Sequence, residues 1–363
     1  MSDTRLTGPV RVVGSGLLGT SIGLGLRAKG IDVILDDASP GNLSLAIDYG
    51  AGRRAEADDR PQLVVVCVPP DVTARVVAAE LAAHPDAIVT DVASVKAGPL
   101  AELRESGADL SRYIGSHPLA GRERGGAVSG RADLFLGRPW VIAGHDAITY
   151  RAGSPIDDLI LDLGAVPVEM SPAEHDASVA LVSHVPQLVA SLLAGRLQGA
   201  SAASVALAGQ GLRDTTRIAS SEPELWTQIL GANAHAIAPI LHAYRDDLDR
   251  VIGALGEPDA PGARRLVAET IAAGNAGVAA IPGKHGQDRR YSQLLVLVDD
   301  TPGELARLLT EIGAANVNME DLRLEHSPGA QVGLAEISVL PEAEQRLVDE
   351  LSSRGWRIAE GTR

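Results

Sequence analysis

A histidine followed by a proline gives this chain a candidate general base. His117 lies in the segment Gly115-Ser116-His117-Pro118-Leu119-Ala120-Gly121, at the end of a predicted strand. The proline favours extended backbone at His117 and so restricts where the imidazole points. An imidazole titrates near neutral pH, so it can take the proton of a hydroxyl group during hydride transfer. A lone histidine is more often structural, but this position favours catalysis.

A glycine-rich turn supplies a candidate site for the hydride acceptor. Gly14-Ser15-Gly16-Leu17-Leu18-Gly19 follows an apolar strand and opens a helix, the context in which such glycines let a backbone approach a pyrophosphate. We expect Gly14, Gly16, Leu17, Leu18 and Gly19 to bind a dinucleotide. Asp36 and Asp37 lie 22 and 23 residues after Gly14, and either carboxylate could accept hydrogen bonds from ribose hydroxyls. The sequence therefore predicts NAD rather than NADP. A turn without ligand is the alternative.

Two further segments end predicted strands of the same sheet. Ligands of open α/β sheets bind beyond the carboxyl ends of the strands, so these segments should face the cofactor. In Cys67-Val68-Pro69-Pro70, Val68 and Pro69 are either cofactor contacts or an ordinary strand ending. In Asp91-Val92-Ala93-Ser94-Val95-Lys96, Ser94 could bond a nicotinamide and a substrate hydroxyl. Helix capping by Ser94 and a solvated charge on Lys96 are the alternatives.

Polar residues in two apolar helical segments could bind substrate. His184 and Gln187 are three residues apart and share a helix face, where they either contact substrate or form an internal hydrogen-bond network. Pro186 between them should bend the helix. Arg217 is a candidate for carboxylate recognition, with Trp226 as a substrate contact or a core side chain, whereas Arg213 is interpreted as a surface residue.

The composition limits the partners. The 363 residues carry a net charge of −15, which disfavours nucleic acid and anionic membrane surfaces as partners. An anionic substrate would need a local arginine. Cys67 is the single cysteine, so no disulfide forms within the chain, and the N-terminus lacks an apolar signal segment. We therefore expect a cytoplasmic protein without a metal site.

The elements that must position these residues form three predicted domains. Strands alternate with helices over residues 1–170, which predicts a Rossmann-type doubly wound parallel sheet. Residues 171–287 are predicted to be an all-α domain. Residues 288–363 have the order βαββαβ of a ferredoxin-like fold. The uncharged segments Ala177–Gly195 and Leu197–Leu212 predict helices buried on all sides, and because one subunit is small for that, we expect a homodimer. The strands that we predict are Val10–Gly14, Val33–Leu35, Leu63–Pro69, Ala87–Val92, Tyr113–Gly115, Pro139–Ala143 and Ala165–Met170.

Taken together, the motifs resemble those of prephenate and arogenate dehydrogenases. The segments GSGLLG, CVPP, DVASVK, GSHPLAG, SHVP and RDTTRIA followed by Trp226 occur in that family's order, over about residues 8–285. The resemblance implies NAD-dependent oxidative decarboxylation of prephenate to 4-hydroxyphenylpyruvate, towards tyrosine. It implies that His117 accepts the ring hydroxyl proton, that Ser94 holds this hydroxyl and the histidine, and that Arg217 binds a substrate carboxylate.

Two positions depart from the family pattern. Many relatives have a second histidine where this chain has Gln187, which cannot titrate. Arg122 replaces a smaller residue, and an extra cation there would favour the keto side chain of prephenate over the ammonium of arogenate. Arogenate dehydrogenase remains an alternative. Another two-domain hydroxy-acid dehydrogenase is less favoured, since Ala173–Gly195 lacks the expected lysine. A non-catalytic amino-acid sensor is the most distant alternative.

The C-terminal segment resembles an ACT domain, a small module that senses amino acids. The sequences DDTPGEL and NVNMEDLRL carry this resemblance. It implies an effector site, with L-tyrosine as one possible effector, near Asp300, Gly303, Asn316 and Asn318. Turn chemistry is the alternative explanation for all four residues, since Asp, Gly and Asn favour turns.

Overall fold

The computed structural model describes residues 4–121, 125–151, 154–281, 291–326 and 332–359. The chain divides into two compact units. The first comprises Met1–Ala200 with Thr215–Arg245, and the second comprises Ser201–Asp214 with Asp246–Arg363. The predicted division into three domains stays a prediction.

A five-stranded parallel sheet forms the centre of the first unit. Its strands are β1 Val10–Val13, β2 Val33–Asp36, β3 Arg53–Arg54, β4 Leu63–Val66 and β5 Ile88–Asp91. Their order is β3-β2-β1-β4-β5, with Val10 paired to Val33 on one side and to Leu63 on the other. All four residues of β4 are buried, as its continuous apolar run predicts. The carboxyl ends of β1, β2 and β4 therefore meet at one edge of the sheet.

Helices cover this sheet and continue from the ends of its strands. They are α1 Leu17–Ala28, α2 Pro40–Asp48, α3 Pro70–Ala83, α4 Ala97–Glu105 and α5 Pro155–Asp162. Proline occupies the first turn of α2, α3 and α5, where its missing N–H costs nothing. The strand predicted to reach Pro69 ends at Val66, because Pro70 already begins α3.

A separate three-stranded sheet carries His117, which corrects the prediction of one continuous parallel sheet. Its strands are β6 Gly115–Pro118, β7 Pro139–Ala143 and β8 Val166–Met170, and β6 runs antiparallel to β7. The strand predicted at Tyr113–Gly115 is thus shifted. Tyr113 makes only an isolated bridge to Val89, and its side chain is buried against the first sheet.

The helical part begins at Ser171, where a capping box of Ser171 and Glu174 confirms the predicted helix start. Its helices are α6 Pro172–Val179, α7 Val185–Gly195, α8 Ala202–Ala206, α9 Gln210–Thr216, α10 Pro223–Ala232, α11 Ala234–Gly256 and α12 Ala263–Ala279, with a π-helical turn over Ala180–His184. The π-helical turn precedes Pro186, whose ring nitrogen cannot donate to the carbonyl of Val182. The bend predicted at Pro186 is therefore found as a widened helical turn just before it, at Ala180–His184.

The two uncharged segments are not buried on all sides within the single chain, as expected if one subunit is too small for that, and their burial in a dimer stays a prediction. Leu181, Val182 and Leu192 are more than half exposed, and Leu207 is 86% exposed. In the described part of the chain, one helical stretch, Pro172–Gly199, is long and apolar enough to span a membrane by length and composition, and about a third of its most apolar window is buried. The same stretch contains His175 and Asp176, both buried, which is typical of a core helix in a globular unit.

The C-terminal segment has the predicted βαββαβ order. Its elements are β9 Ser292–Asp299, α13 Glu304–Ala314, β10 Met319–His326, β11 Val332–Val339, α14 Pro341–Ser353 and β12 Arg357–Ala359. The strands form an antiparallel sheet in the order β10-β11-β9-β12. Alternate residues of β9, such as Val296, pack with α13 and α14 in a core of their own. The fold of this segment is therefore ferredoxin-like.

Candidate active site

The glycine turn between β1 and α1 has the shape that a pyrophosphate requires. A Cβ atom on Gly14 would lie 2.3 Å from the carbonyl oxygen of Cys67, and one on Gly19 would lie 1.9 Å from that of Gly14. These two glycines allow close backbone packing. A Cβ on Gly16 would meet nothing within 4 Å, and among the described residues no side chain caps the start of α1. The amides of Leu17 and Leu18, in the first turn of α1, are therefore available to an anion.

The structure separates the two aspartates that follow β2. Asp36 forms an ion pair of 2.6 Å with Arg11, which also bonds Glu80. Asp37 turns to the glycine turn instead: its Oδ2 accepts hydrogen bonds of 2.7 Å from the amide and the hydroxyl of Ser15, and its Oδ1 accepts one from the amide of Ser39. Asp37 is thus held beside the anion site, whereas Asp36 is engaged with Arg11.

The segment after β4 also borders the turn. A Cβ on Gly14 would lie 3.2 Å from a methyl group of Val68, so this side chain forms one wall of the turn. Pro69 is exposed and comes directly before α3. The segment Val68–Pro69 therefore combines a side-chain contact to the turn with a helix start.

His117 belongs to a chain of buried hydrogen bonds that the motifs did not reveal. Its Nδ1 lies 2.9 Å from Nε2 of His175, and Nδ1 of His175 lies 2.7 Å from Oδ1 of Asp176. His175 and Asp176 are at most 1% exposed, whereas His117 is half-buried. No described residue bonds Nε2 of His117. Burial, with further contributions from His175, Lys96 and His184, lowers the pKa of His117 well below 6.5.

Asp176 connects three elements of the site. Its carboxylate accepts the amides of Lys96 (2.8 Å) and Ala97 (2.9 Å), which are otherwise unbonded at the start of α4. Burial acts to raise the pKa of Asp176, but the hydrogen bonds from His175 and from these amides hold it below the usual value. The carboxylate is therefore ionised at neutral pH and fixes α4 to α6.

Asn233 extends the same network to the predicted substrate histidine. Its amide nitrogen donates to the carbonyl of Asp176 (2.8 Å) and lies 3.1 Å from Nδ1 of His184. The rings of Trp226 and His184 are edge-to-face, with 6.1 Å between their centroids. Burial lowers the pKa of His184 to about 4, so its ring is neutral at physiological pH. The structure thus brings His117, His184 and Trp226 into one connected cluster.

Lys96 is buried, so its interpretation as a solvated charge is wrong. Its ammonium group pairs with Asp91, which also accepts hydrogen bonds from the hydroxyl of Tyr113 (2.7 Å) and the amide of Ala93 (2.8 Å). Lys96 is 2% and Asp91 0% exposed. Burial lowers the pKa of Lys96, and Asp91 acts in the opposite direction. The pair holds the two ends of the segment that carries Ser94.

Ser94 lies in the loop between β5 and α4 and is half-buried. Its hydroxyl bonds no other residue in the described part of the chain, and no hydrogen bond joins it to His117. The neighbouring Ser116 has a structural role: it donates to the carbonyl of Asp91 (2.9 Å) and accepts from Thr90 (3.0 Å). A half-buried hydroxyl without a protein partner can serve a ligand.

The remaining candidates of the helical part lie around α7. Gln187 is buried, and it bonds Ser191 and Ser221 over 3.4 Å each. Arg217 is exposed and begins a 3-10 turn, Arg217–Ala219, that packs against α7. Arg122 lies outside the described residues.

In the second unit, the four predicted effector residues lie in the connections before and after α13. Gly303 (φ +96°) precedes α13, and Asn316 has a left-handed backbone (φ +53°). The carbonyl of Asn316 accepts from Arg346, and Asn318 donates to Glu320 (2.7 Å). Asp300 is exposed directly after β9. Turn chemistry accounts for Gly303 and Asn316, whose backbones have positive φ, and the effector site stays a prediction. The described residues contain no cluster of His, Cys, Asp and Glu that could hold a metal ion.

Sequence reasoning missed His175, Asp176 and Asn233. His175 and Asp176 directly follow the helix start Ser171-Pro172-Ala173-Glu174, so the chain offered an adjacent acid–base pair immediately before the segment predicted to be buried. Asn233 had no such signal, because it is joined to Asp176 and His184 only in three dimensions.

Comparisons with known proteins agree with this geometry. A family model described as "Prephenate dehydrogenase, nucleotide-binding domain" matches residues 22–169, and a second, "Prephenate dehydrogenase, dimerization domain", matches residues 171–269. A probable prephenate dehydrogenase of Streptomyces niveus is 34% identical over 95% of this chain and 98% of its own length.

Solved structures show the same fold. Prephenate dehydrogenase from A. aeolicus, in complex with hydroxyphenyl propionate and NAD+, has a TM-score of 0.64 at 24% identity and covers 74% of this chain and 97% of its own. Synechocystis arogenate dehydrogenase has a TM-score of 0.57 at 27% identity and covers 74% and 99%. These findings confirm the predicted enzyme and fold classes. The chain belongs to the prephenate dehydrogenase family of NAD-dependent dehydrogenases.

Proposed function

We propose that this enzyme catalyses the NAD-dependent oxidative decarboxylation of prephenate to 4-hydroxyphenylpyruvate. The observation that carries the proposal is the state of His117. Its ring is held through Nδ1, its low pKa keeps it neutral, and no described residue bonds its Nε2. A neutral imidazole with a free lone pair is the group needed to receive a hydroxyl proton.

The proton balance of this reaction explains why a histidine suits it. When the hydroxyl-bearing ring carbon loses hydride, the hydroxyl proton passes to Nε2 of His117 and a carbonyl forms. The bond to the ring carboxylate then breaks, its electron pair makes the ring aromatic, and the oxygen takes the proton back. No net proton is released. His117 therefore acts first as a base and then as an acid. A weakly basic imidazole can do both, because it releases the proton as readily as it takes it up.

Bound NAD supplies the nicotinamide that accepts the hydride. On the protein side, the turn Gly14–Gly19 would hold the pyrophosphate and Asp37 the adenosine ribose hydroxyls. Val68 would support the turn. The free hydroxyl of Ser94 would orient the ring hydroxyl towards His117. Arg217 would bind a substrate carboxylate, which offsets the repulsion of a dianion by a chain of charge −15.

Prephenate is the favoured substrate because the described cluster lacks an anion for an ammonium group. His184 is neutral, Gln187 is uncharged, and the carboxylate of Asp176 already accepts bonds from His175, Lys96 and Ala97. Arogenate differs from prephenate by carrying an ammonium group in place of the keto oxygen. It would find no free carboxylate among these residues.

The deciding experiment follows reduced nicotinamide by absorbance while NAD and NADP are crossed with prephenate and arogenate. Fast reduction of NAD with prephenate supports the proposal. Turnover with arogenate alone would leave the role of His117 unchanged but would make arogenate, not prephenate, the substrate. Absence of reduction with every pair would refute the proposal and favour an amino-acid sensor.

We also propose that the enzyme is a cytoplasmic homodimer. Each unit exposes large apolar side chains, which a second copy would cover: Leu181, Val182 and Leu192 in the first unit, and Leu207, Leu255 and Val278 in the second. The description of the second family model as a dimerization domain supports this. Sedimentation at micromolar concentration should give twice the mass of 37.6 kDa, and a monomeric mass would contradict it.

Feedback by an amino acid is a separate proposal for the C-terminal ferredoxin-like segment. Its βαββαβ order and antiparallel sheet, which are expected of the ACT-like module that the sequence resembles, support it. Titration of the NAD-reduction rate with L-tyrosine and the other amino acids tests it, and flat curves for all of them would refute it.

A further inference from the structure

The hydrogen bonds that lead from His117 to Asp176 determine which nitrogen of each ring carries a proton. A carboxylate can only accept, and the hydrogen bonds to Asp176 keep it ionised. Nδ1 of His175, 2.7 Å away, must therefore be the donor. In a neutral ring the other nitrogen is then an acceptor, so Nδ1 of His117, 2.9 Å away, donates to Nε2 of His175. The lone pair of His117 is left on Nε2.

We propose that His175 and Asp176 are positioning residues, which hold His117 in its Nδ1–H tautomer and stabilise the imidazolium formed when Nε2 takes a substrate proton. Only the stabilisation of the imidazolium rests on the proposed function. The tautomer of His117 is a property of the free protein and can be measured without substrate.

The surroundings of His117 explain why such support is needed. The titratable groups that lower its pKa are His175 on α6, Lys96 before α4 and His184 in the π-helical turn, and burial adds to their effect. Lys96 is paired with Asp91, so the carboxylate of Asp91 is committed to that ammonium. Asp176 is the carboxylate connected to His117 through an unbroken chain of hydrogen bonds. A positive charge on His117 is thus compensated through His175.

Asp176 is well fixed for this role. It accepts the two amides at the start of α4 as well as His175, and its own carbonyl accepts from Asn233. α4 follows directly after the loop of Ser94. One residue therefore sets the orientation of the base and the end of the loop that carries the hydroxyl group. The arrangement has the same logic as the buried aspartate that orients the histidine of a serine-protease triad, with one more imidazole between them.

The kinetic test compares His175→Leu with His175→Gln. Leucine removes both hydrogen bonds, whereas glutamine can still accept from His117 and donate to Asp176. We expect kcat for NAD reduction with prephenate to fall about 10- to 100-fold in His175→Leu, the range seen when a supporting hydrogen-bond partner is lost. KM and the Kd for NAD should stay within about twofold, and His175→Gln should recover at least half of the lost factor on a logarithmic scale.

His145→Leu is the matched control, because the side chain of His145 is also buried and its Nε2 bonds a backbone carbonyl, that of Tyr113. A kcat for His175→Leu within about twofold of the wild type would overturn the inference while leaving the proposed function intact. An equal loss in His145→Leu would overturn it as well, since any buried histidine would then have the same effect.

The tautomer itself is measured by long-range ¹H–¹⁵N NMR correlations of histidine-labelled free protein, with His117→Asn identifying the signal. We expect a neutral His117 with its proton on Nδ1 in the wild type, and loss of that preference in His175→Leu. A proton on Nε2, or an imidazolium at neutral pH, would overturn the inference. This measurement holds even if prephenate is not the substrate, so the two failures are distinguishable.

Discussion

At the glycine turn, the groups that face the predicted nucleotide are backbone amides of α1, and the charged side chain that borders the turn is that of Asp37. Around His117, by contrast, the connected groups are buried side chains from α6, from the π-helical turn and from the residue that follows α10. The first region needs little more than three glycines in a strand-turn-helix. The second must desolvate two histidines, an asparagine and an aspartate, which is tolerable only because each is hydrogen-bonded. The nucleotide region is thus specified locally, and the proton-handling region by the tertiary fold.

The largest expected effect is on the base itself. His117→Asn removes the imidazole but keeps a side chain of similar polarity, so the site should still bind NAD. We expect kcat to fall by about 10²- to 10⁴-fold, the usual contribution of a general acid–base group. Steady-state kinetics with prephenate measures this, and NAD binding by protein fluorescence is the control. A loss below tenfold would mean that another group accepts the proton.

The wild-type pH profile checks the same residue without mutation. Because burial lowers the pKa of His117 well below 6.5, the neutral form should persist at pH 6. We expect kcat/KM to remain level down to about pH 6 and to decline only as the pH falls through the lowered pKa. A decline centred at pH 6.5 or above would contradict the burial that the structure shows.

The second effect is on stability. It tests whether the buried charges of the proton-handling region are tolerated only because each is paired. Lys96→Met leaves the carboxylate of Asp91 buried without its cation, and we expect a loss of about 3–5 kcal/mol in the free energy of unfolding. Urea unfolding measures this loss. Adding Asp91→Asn should restore much of the stability, because the uncompensated charge is gone. Lys29→Met is the control: Lys29 is more than a third exposed and 3.9 Å from Asp162, so its loss should cost at most about 1 kcal/mol.

Particular residues show how far the sequence could predict this molecule. The glycine turn, the helix start at Ser171 and the C-terminal βαββαβ order were predictable, because each depends on residues close together in the chain. Gln187 and His184 were placed on one buried face, and the structure shows them in hydrogen-bond networks. The adjacent pair His175-Asp176 was visible in the sequence, but its connection to His117 was not, and Asn233 gave no signal, since both roles depend on contacts between distant elements. Asp36 and Asp37 could not be distinguished either, because the choice depends on Arg11 one strand away.

A third effect isolates the backbone region. Gly16→Ala adds a Cβ that meets nothing within 4 Å of the protein, so stability should be unchanged. The added methyl group would occupy the space needed by a pyrophosphate, and we expect the Kd for NAD to rise about tenfold or more, which corresponds to about 1.4 kcal/mol. Gly19→Ala is the contrasting variant: its Cβ would lie 1.9 Å from the carbonyl of Gly14, so it should lower both the melting temperature and NAD affinity. Unchanged NAD binding in Gly16→Ala would contradict the assignment of the anion site.

The smallest expected effect distinguishes the two aspartates. Asp37→Asn removes the charge that would accept ribose hydroxyls and repel a 2′-phosphate, and it weakens the bonds to Ser15 and Ser39. We expect NAD affinity to fall by up to about tenfold, or 1.4 kcal/mol, and the preference for NAD over NADP to narrow. Asp36→Asn should change either affinity by less than about threefold, because Asp36 is half-exposed and Arg11 keeps its second partner, Glu80. Binding titrations of both nucleotides measure this contrast. An effect of Asp36→Asn that matches or exceeds that of Asp37→Asn would place the ribose next to Arg11. The nucleotide region would then also depend on side-chain packing between strands, and its contrast with the histidine cluster would disappear.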